Sequence, residues 1–237
     1  MYLKAITFDL WGTLLNIRNY AEIRLPEIKR VLFSCGFNLT DEAIYEAYMS
    51  GFRHSSKVIS SEGLRHVETV EIVEKVLESV GCDSKIAREE LVAIYEHAAL
   101  LEPPSLKEGA YEALSYVNDH YKVGLVSVTG VTPGRVIREI LEAYGVLEYF
   151  DVLTFSDEVK VVKPHTGIFQ SCLRDMGVEA AQAVHVGDSF KGDVVGAIDT
   201  GMQVIWVRDR EQVQVPGYIP YAVISSLLEL SNVLRCN

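Results

Sequence analysis

The chain has 237 residues, is 49% hydrophobic and carries a formal net charge of −11. That length suits one large domain or a core with a smaller inserted unit, and the acidic balance argues against a nucleic-acid partner while requiring a local positive site for any anionic small substrate. There is no apolar stretch of the roughly 18 residues that span a membrane, no basic leader with a cleavage site and no CxxC among Cys35, Cys82, Cys172 and Cys236, so a cytoplasmic protein with reduced thiols and no membrane association is expected.

In chain order, residues 3–8 form an apolar run that reads as a buried strand, and Asp9 follows at its end, with Trp11, Gly12 and Thr13 just beyond. Residues 16–102 show only helical periods. One covers 41–52, entered from Thr40. A second covers 67–81, with Val67, Val70, Val73, Val76 and Leu77 on its apolar face and a stop at Gly81. A third covers 84–101, capped by Asp83 or Ser84 and ended by Pro103 and Pro104. Strand–helix alternation then begins. Leu106, Ala110, Ala113, Leu114 and Val117 share one helix face, and apolar runs recur at 123–128, 151–155, 183–186 and 203–207, with a weaker one at 221–224. Between the first two runs lies a helix with Thr132 as expected N-cap, Pro133 at its first position and Gly145 at its stop. The pattern predicts an α/β fold: a doubly wound, Rossmann-like parallel-sheet core of residues 1–15 and 103–237, with an α-helical unit of residues 16–102 inserted after the first strand. No internal repeat is present, and no segment favours a monomer over a homodimer.

Open parallel sheets bind ligands beyond the carboxyl ends of their strands. The residues expected on that rim are Asp9 after the first strand, Ser127 at the end of the second, Lys163 after the third, and Asp188 with Asp193 after the fourth. Each suits phosphoryl transfer. A carboxylate can attack phosphorus and split one hard hydrolysis into two steps. A hydroxyl and an ammonium can steady the transferring oxygens. Three acids in one place require a cation, and a hard divalent ion such as Mg2+ takes carboxylate and carbonyl oxygens.

The quartet "FDLWGTLL", "GLVSVTG", "SDEVKVVKPHTGIF" and "HVGDSFKGDVVGA", in that order and spacing, resembles the four motifs of the haloacid dehalogenase-like hydrolases over almost the whole chain. The resemblance implies Asp9 as nucleophile, Ser127 and Lys163 as catalytic and substrate-binding groups, and Asp9, Asp188, Asp193 and the backbone carbonyl of Trp11 as Mg2+ ligands. It also implies that residues 16–102 are the family's helical cap. Two positions depart from the pattern. Val128 stands where an asparagine is usual. Trp11 stands where family phosphatases carry the acid that protonates the leaving group, and where family dehalogenases carry an aromatic residue.

The expected function is Mg2+-dependent hydrolysis of a small phosphate ester through an aspartyl-phosphate at Asp9. One alternative is a 2-haloacid dehalogenase in which Asp9 displaces halide from a halogenated substrate. The other is a non-hydrolysing protein that binds phosphorylated ligands. Trp11 is either core packing or a pocket wall. Arg18, Arg53, His54, Arg65 and His66 either face an anionic substrate or lie on solvated helix faces. Tyr45, Tyr48 and Tyr95 read as core of the helical unit.

Overall fold

The structure is a computed structural model, and it describes residues 3–208 and 211–235, so Cys236 lies outside the described residues. The chain begins with β1 (Ala5–Phe8) and then builds four helices, α1 (Ala21–Ser34), α2 (Asp41–Ser61), α3 (Thr69–Ser79) and α4 (Lys85–Leu101). The alternating part follows as α5 (Ala110–Asn118), β2 (Lys122–Ser127), α6 (Gly134–Ala143), β3 (Val152–Phe155), α7 (Ser156–Val159), α8 (Thr166–Met176), β4 (Ala183–Gly187), α9 (Gly196–Thr200), β5 (Gln203–Val207), β6 (Ala222–Ile224) and α10 (Leu230–Arg235).

The six strands form one parallel sheet in the order β3-β2-β1-β4-β5-β6. Every residue of β1 and β4 is buried, as expected for central parallel strands covered by helices on both faces. The chain leaves β1 in one direction through β2 and β3 and in the other through β4 to β6. The crevice of this doubly wound α/β sheet therefore opens at the carboxyl ends of β1, β2 and β4.

The helical unit has its own apolar core, in which Ile28, Val31, Leu32, Ile44, Ala47, Val73, Val76, Leu91 and Tyr95 pack together. Capping is local for α2, where Thr40 Oγ1 accepts from Ala43 N, and for α4, where Ser84 Oγ accepts from Ala87 N. Several expectations change. The sequence pattern placed no helix at α1, because Pro26 lies inside it and Arg24 interrupts its apolar face. Val70 is exposed, and Thr69, Ile72, Val73, Val76 and Leu77 form the buried face of α3. Tyr48 and Tyr95 are buried while Tyr45 is exposed. Thr132 does not cap α6: Pro133 occupies the N-cap position, and the carboxylate of Asp157 accepts from Gly134 N.

A short strap joins the helical unit to the core. His66 N donates to Lys160 O at 2.9 Å and Val162 N to Leu64 O at 2.8 Å. His66 Nδ1 lies 3.1 Å from Ser156 Oγ, which also accepts from Thr129 N at 3.0 Å. Thr69 Oγ1 donates to Val131 O. Burial pushes the His66 imidazole below its usual pKa, with Glu68 and Asp157 opposing. The folded protein thus keeps His66 neutral where the unfolded chain binds a proton. Stability therefore falls as the pH drops through the ordinary histidine range. Comparing melting temperatures between about pH 7.5 and pH 5.5, wild type should lose more than His66→Gln. An equal loss in both proteins would contradict this reading of the seam.

Candidate active site

The strand ends bring four of the expected side chains to one place and end the neighbouring strand on a fifth, Ser127. Asp9 follows β1 and is held by its own N–H, which donates to Val186 O of β4 at 2.9 Å. Lys163 arrives from the loop before α8, its side chain 5% exposed, and donates to Asp9 Oδ1 at 2.5 Å and to Asp193 Oδ1 at 2.6 Å. Carboxylate oxygens of Asp9, Asp188 and Asp193 lie within 4.8 Å of one another, and all three residues are buried. Ser127 ends β2, fully buried, and its Oγ has no hydrogen-bond partner.

The chain folds this way partly because glycine leaves room. Gly12 has φ +91°, and a Cβ there would stand 2.7 Å from Asp188 Oδ2. A Cβ on Gly187 would stand 2.3 Å from the Asp193 carboxyl carbon. Both side chains would collide with the acids. Asp188 starts the turn after β4, where Thr13 Oγ1 donates to its Oδ1 at 3.5 Å and Trp206 Nε1 and Gln212 Nε2 donate to its carbonyl. A π-helical turn, Phe190–Val195, then swings Asp193 back under the site.

The three charges are not equivalent. Burial raises the Asp9 carboxyl above its usual pKa; the Lys163 ammonium opposes this and the neighbouring Asp193 charge adds to it. Burial also works against an ionised Asp193, but Lys163 and His185 outweigh it and hold that carboxyl well below the usual range. Lys163 is held well above the ordinary lysine value, because Asp193 and Asp9 together outweigh its burial. Asp193 is fully engaged: Oδ1 faces Lys163 and, at 3.1 Å, His185 Nε2, while Oδ2 accepts from Ser189 N at 2.8 Å. Asp9 Oδ2, by contrast, is buried without a partner.

An all-oxygen donor set of three buried carboxylates within 4.8 Å of one another fits a hard divalent cation such as Mg2+. Of the six expected residues, the structure gathers Asp9, Lys163, Asp188 and Asp193 in direct proximity. It places Ser127 at the end of the strand beside β1, and Trp11, half-buried, in the turn after Asp9. Most of the charged cap residues singled out above have partners elsewhere. Arg18 pairs with Glu102, Arg53 with Glu46, and Arg65 with Glu62 and Glu71; His66 joins the seam. Sequence reasoning missed His185, whose Nδ1 lies 2.8 Å from Thr7 Oγ1. The available signal was a lone imidazole inside an otherwise apolar strand. It also missed Arg24, which is buried on α1.

A parallel α/β sheet with a buried carboxylate just past the end of its first strand and two more acids beside it marks a class of hydrolases. A family model for the haloacid dehalogenase-like hydrolases matches residues 3–201, and the chain belongs to that family. It is 27% identical to the glyceraldehyde 3-phosphate phosphatase of Methanothermobacter thermautotrophicus, over 98% of this chain and 100% of that one. It is 25% identical to the N-acylneuraminate-9-phosphatase of Rattus norvegicus, over 98% of this chain and 94% of the relative. Among solved structures, a HAD phosphatase from Thermococcus onnurineus is 27% identical, with a TM-score of 0.68 and 98% of both chains covered. A 2-haloacid dehalogenase from Pseudomonas syringae pv. Tomato DC3000 has a TM-score of 0.76 over 99% of both chains; at 22% identity it shows a common fold.

Proposed function

We propose that this hydrolase is a Mg2+-dependent phosphatase acting on a small phosphate ester through a phosphorylated Asp9. The observation that carries the reading is the pair of buried polar atoms without partners, Asp9 Oδ2 and Ser127 Oγ. Buried polar atoms are normally satisfied, and these two suit a phosphoryl group placed between β1 and β2. Asp9 Oδ2 attacks phosphorus in line with the ester oxygen, while Lys163 fixes Oδ1 and so aims the attacking oxygen. Ser127 Oγ donates to a phosphoryl oxygen, and the Lys163 ammonium offsets charge on the others. The P–O ester bond breaks, the leaving oxygen departs as an alkoxide that takes a proton from solvent, and water then cleaves the acyl-phosphate to return Asp9 and inorganic phosphate.

Asp9, Asp188 and the Trp11 carbonyl would hold Mg2+, with Asp193 adding its charge beside them. When bound, the ion supplies positive charge that offsets repulsion between the acids and a phosphate dianion. We assign substrate selection to residues 16–102 and a reducing cytoplasmic setting to the whole, in keeping with the free thiols of Cys35, Cys82 and Cys172. Among the described residues no helix is long and apolar enough to cross a membrane.

Trp11 favours a second reading. Halide departs as a stable anion and needs no proton, so a dehalogenase could dispense with an acid at that position. The full acid cluster weighs the other way, because close like charges without a cation are costly. Phosphate release from aryl and alkyl phosphates and halide release from 2-chloropropionate separate the two. Phosphate release that stops on chelation, returns with Mg2+ and falls to background in Asp9→Asn is expected. Halide release in chelated enzyme would overturn the phosphatase reading, and ligand-induced stabilisation without turnover of any ester would mark a binding protein.

Absence of a general acid costs a rate factor of about 10² to 10⁴, and the cost falls on poor leaving groups. An alkyl phosphate leaves as a basic alkoxide, whereas p-nitrophenyl phosphate leaves as a stable anion. Trp11→Asp should therefore raise the ratio of alkyl to aryl turnover. The ratio cancels any general loss of folded enzyme. A ratio that stays put or moves toward the aryl ester, in a folded variant, would show that Trp11 does not stand in for a missing acid.

A further inference from the structure

Five side-chain atoms are buried without a hydrogen-bond partner among the described residues. Two are the catalytic-site atoms already described. The other three are Arg24 Nε, Tyr20 Oη and Tyr95 Oη, and Arg24 lies against both rings. The Arg24 guanidinium carbon lies 5.4 Å from the centre of the Tyr20 ring and 5.2 Å from that of Tyr95. Arg24 is 5% exposed, Tyr20 6% and Tyr95 0%. Among the described residues Arg24 makes one hydrogen bond, from Nη2 to Tyr95 O at 3.0 Å, and no carboxylate pairs with it.

A buried guanidinium held by two rings and one carbonyl is poorly compensated. Cation–π contact contributes about 0.5–2 kcal/mol, while an ion withdrawn from water without a counter-ion costs several. The surface arginines nearby show the contrast, since each has a carboxylate. Burial raises both phenols above their usual pKa, so they remain protonated and can donate. The trio therefore offers donors and positive charge, and lacks an acceptor. It also joins two cores: Tyr20 belongs to the apolar cluster of the α/β core, which also contains Leu10, Leu14, Ala98 and Ala99 and against which Trp11 packs. Tyr95 packs instead in the core of the helical unit, its ring 6.4 Å from that of Phe52.

We propose that Arg24, Tyr20 and Tyr95 form a second anion subsite, which takes a carboxylate on the leaving-group side of the phosphate ester. This rests on the phosphatase reading for the position of the phosphoryl group. A carboxylate matches the trio because its two oxygens accept from the guanidinium edge and from both hydroxyls. A neutral alcohol would leave the arginine charge unanswered.

The test uses non-hydrolysable ligands on the full chain with Mg2+. Calorimetric titration compares ω-phosphonocarboxylates of increasing chain length with alkylphosphonates in which a methyl replaces the carboxylate. Wild type should prefer the carboxylate by about tenfold or more at the chain length that spans the two sites. Arg24→Gln should abolish that preference. Tyr95→Phe and Tyr20→Phe should reduce it several-fold without lowering the melting temperature, because the deleted hydroxyls have no partner in the fold. These two variants decide the matter if Arg24→Gln fails to fold. Alkylphosphonate binding with no carboxylate preference at any length, or a preference that survives all three substitutions, would overturn the subsite and leave the phosphatase reading standing. Failure of both series to bind would overturn both.

Discussion

Lys163 Nζ stands 2.5 Å from Asp9 Oδ1 and 2.6 Å from Asp193 Oδ1 in a space with almost no solvent. Asp188 brings a third carboxylate to the same spot. Two like charges about 4 Å apart repel by about 4 kcal/mol at an effective dielectric of 20, so the group holds together only around positive charge. One lysine cannot serve every acid equally. It donates to Asp9 and Asp193 alike, but Asp193 is held by His185 and Ser189 N as well. Asp9 is left with a raised pKa and one oxygen without a partner. The residue proposed as nucleophile is thus one that the fold leaves partly unsatisfied. Gly12 and Gly187 follow from the same crowding, since any side chain at either would press into an acid.

The helical unit is tied to this centre through backbone. Leu64 and His66 bond the segment 160–162 immediately before Lys163, and His66 reaches Ser156, which orders Thr129 two residues after Ser127. A shift of the unit would therefore be felt at the loops carrying the lysine and the serine, with no long relay. Helix α1 also sets Arg24 between Tyr20, in the core cluster, and Tyr95, in the core of the helical unit. Under the proposed subsite, the same unit would supply the side chains that recognise what is attached to the phosphate.

Much of the centre was legible because central parallel strands must be apolar throughout. Their ends are then sharp in the sequence, and Asp9, Ser127 and Asp188 stand at or just past those ends. Lys163 and Asp193 lie further past the third and fourth runs, and the motif resemblance added to their placement there. What stayed hidden depends on contacts distant in sequence. The α6 cap comes from Asp157, 23 residues beyond Gly134. Helix α1 was masked by Pro26 and by a charge on its buried face, and that charge, Arg24, acquires meaning only beside Tyr95, 71 residues away. His185 reads as an odd strand residue until Thr7 and Asp193 fold against it. Tyr45 and Val70 misled because a helical period marks a face without showing which neighbour covers it.

The central claim is that the acid cluster is a cation site completed around Lys163. Its most direct test is calorimetric titration of chelated protein with Mg2+, alongside Asp188→Asn, with no substrate present. One ion per chain, bound by wild type with a rise in melting temperature and bound far more weakly by the variant, is the expected result. Wild-type protein that takes up no Mg2+ and melts at the same temperature with and without it would contradict the claim.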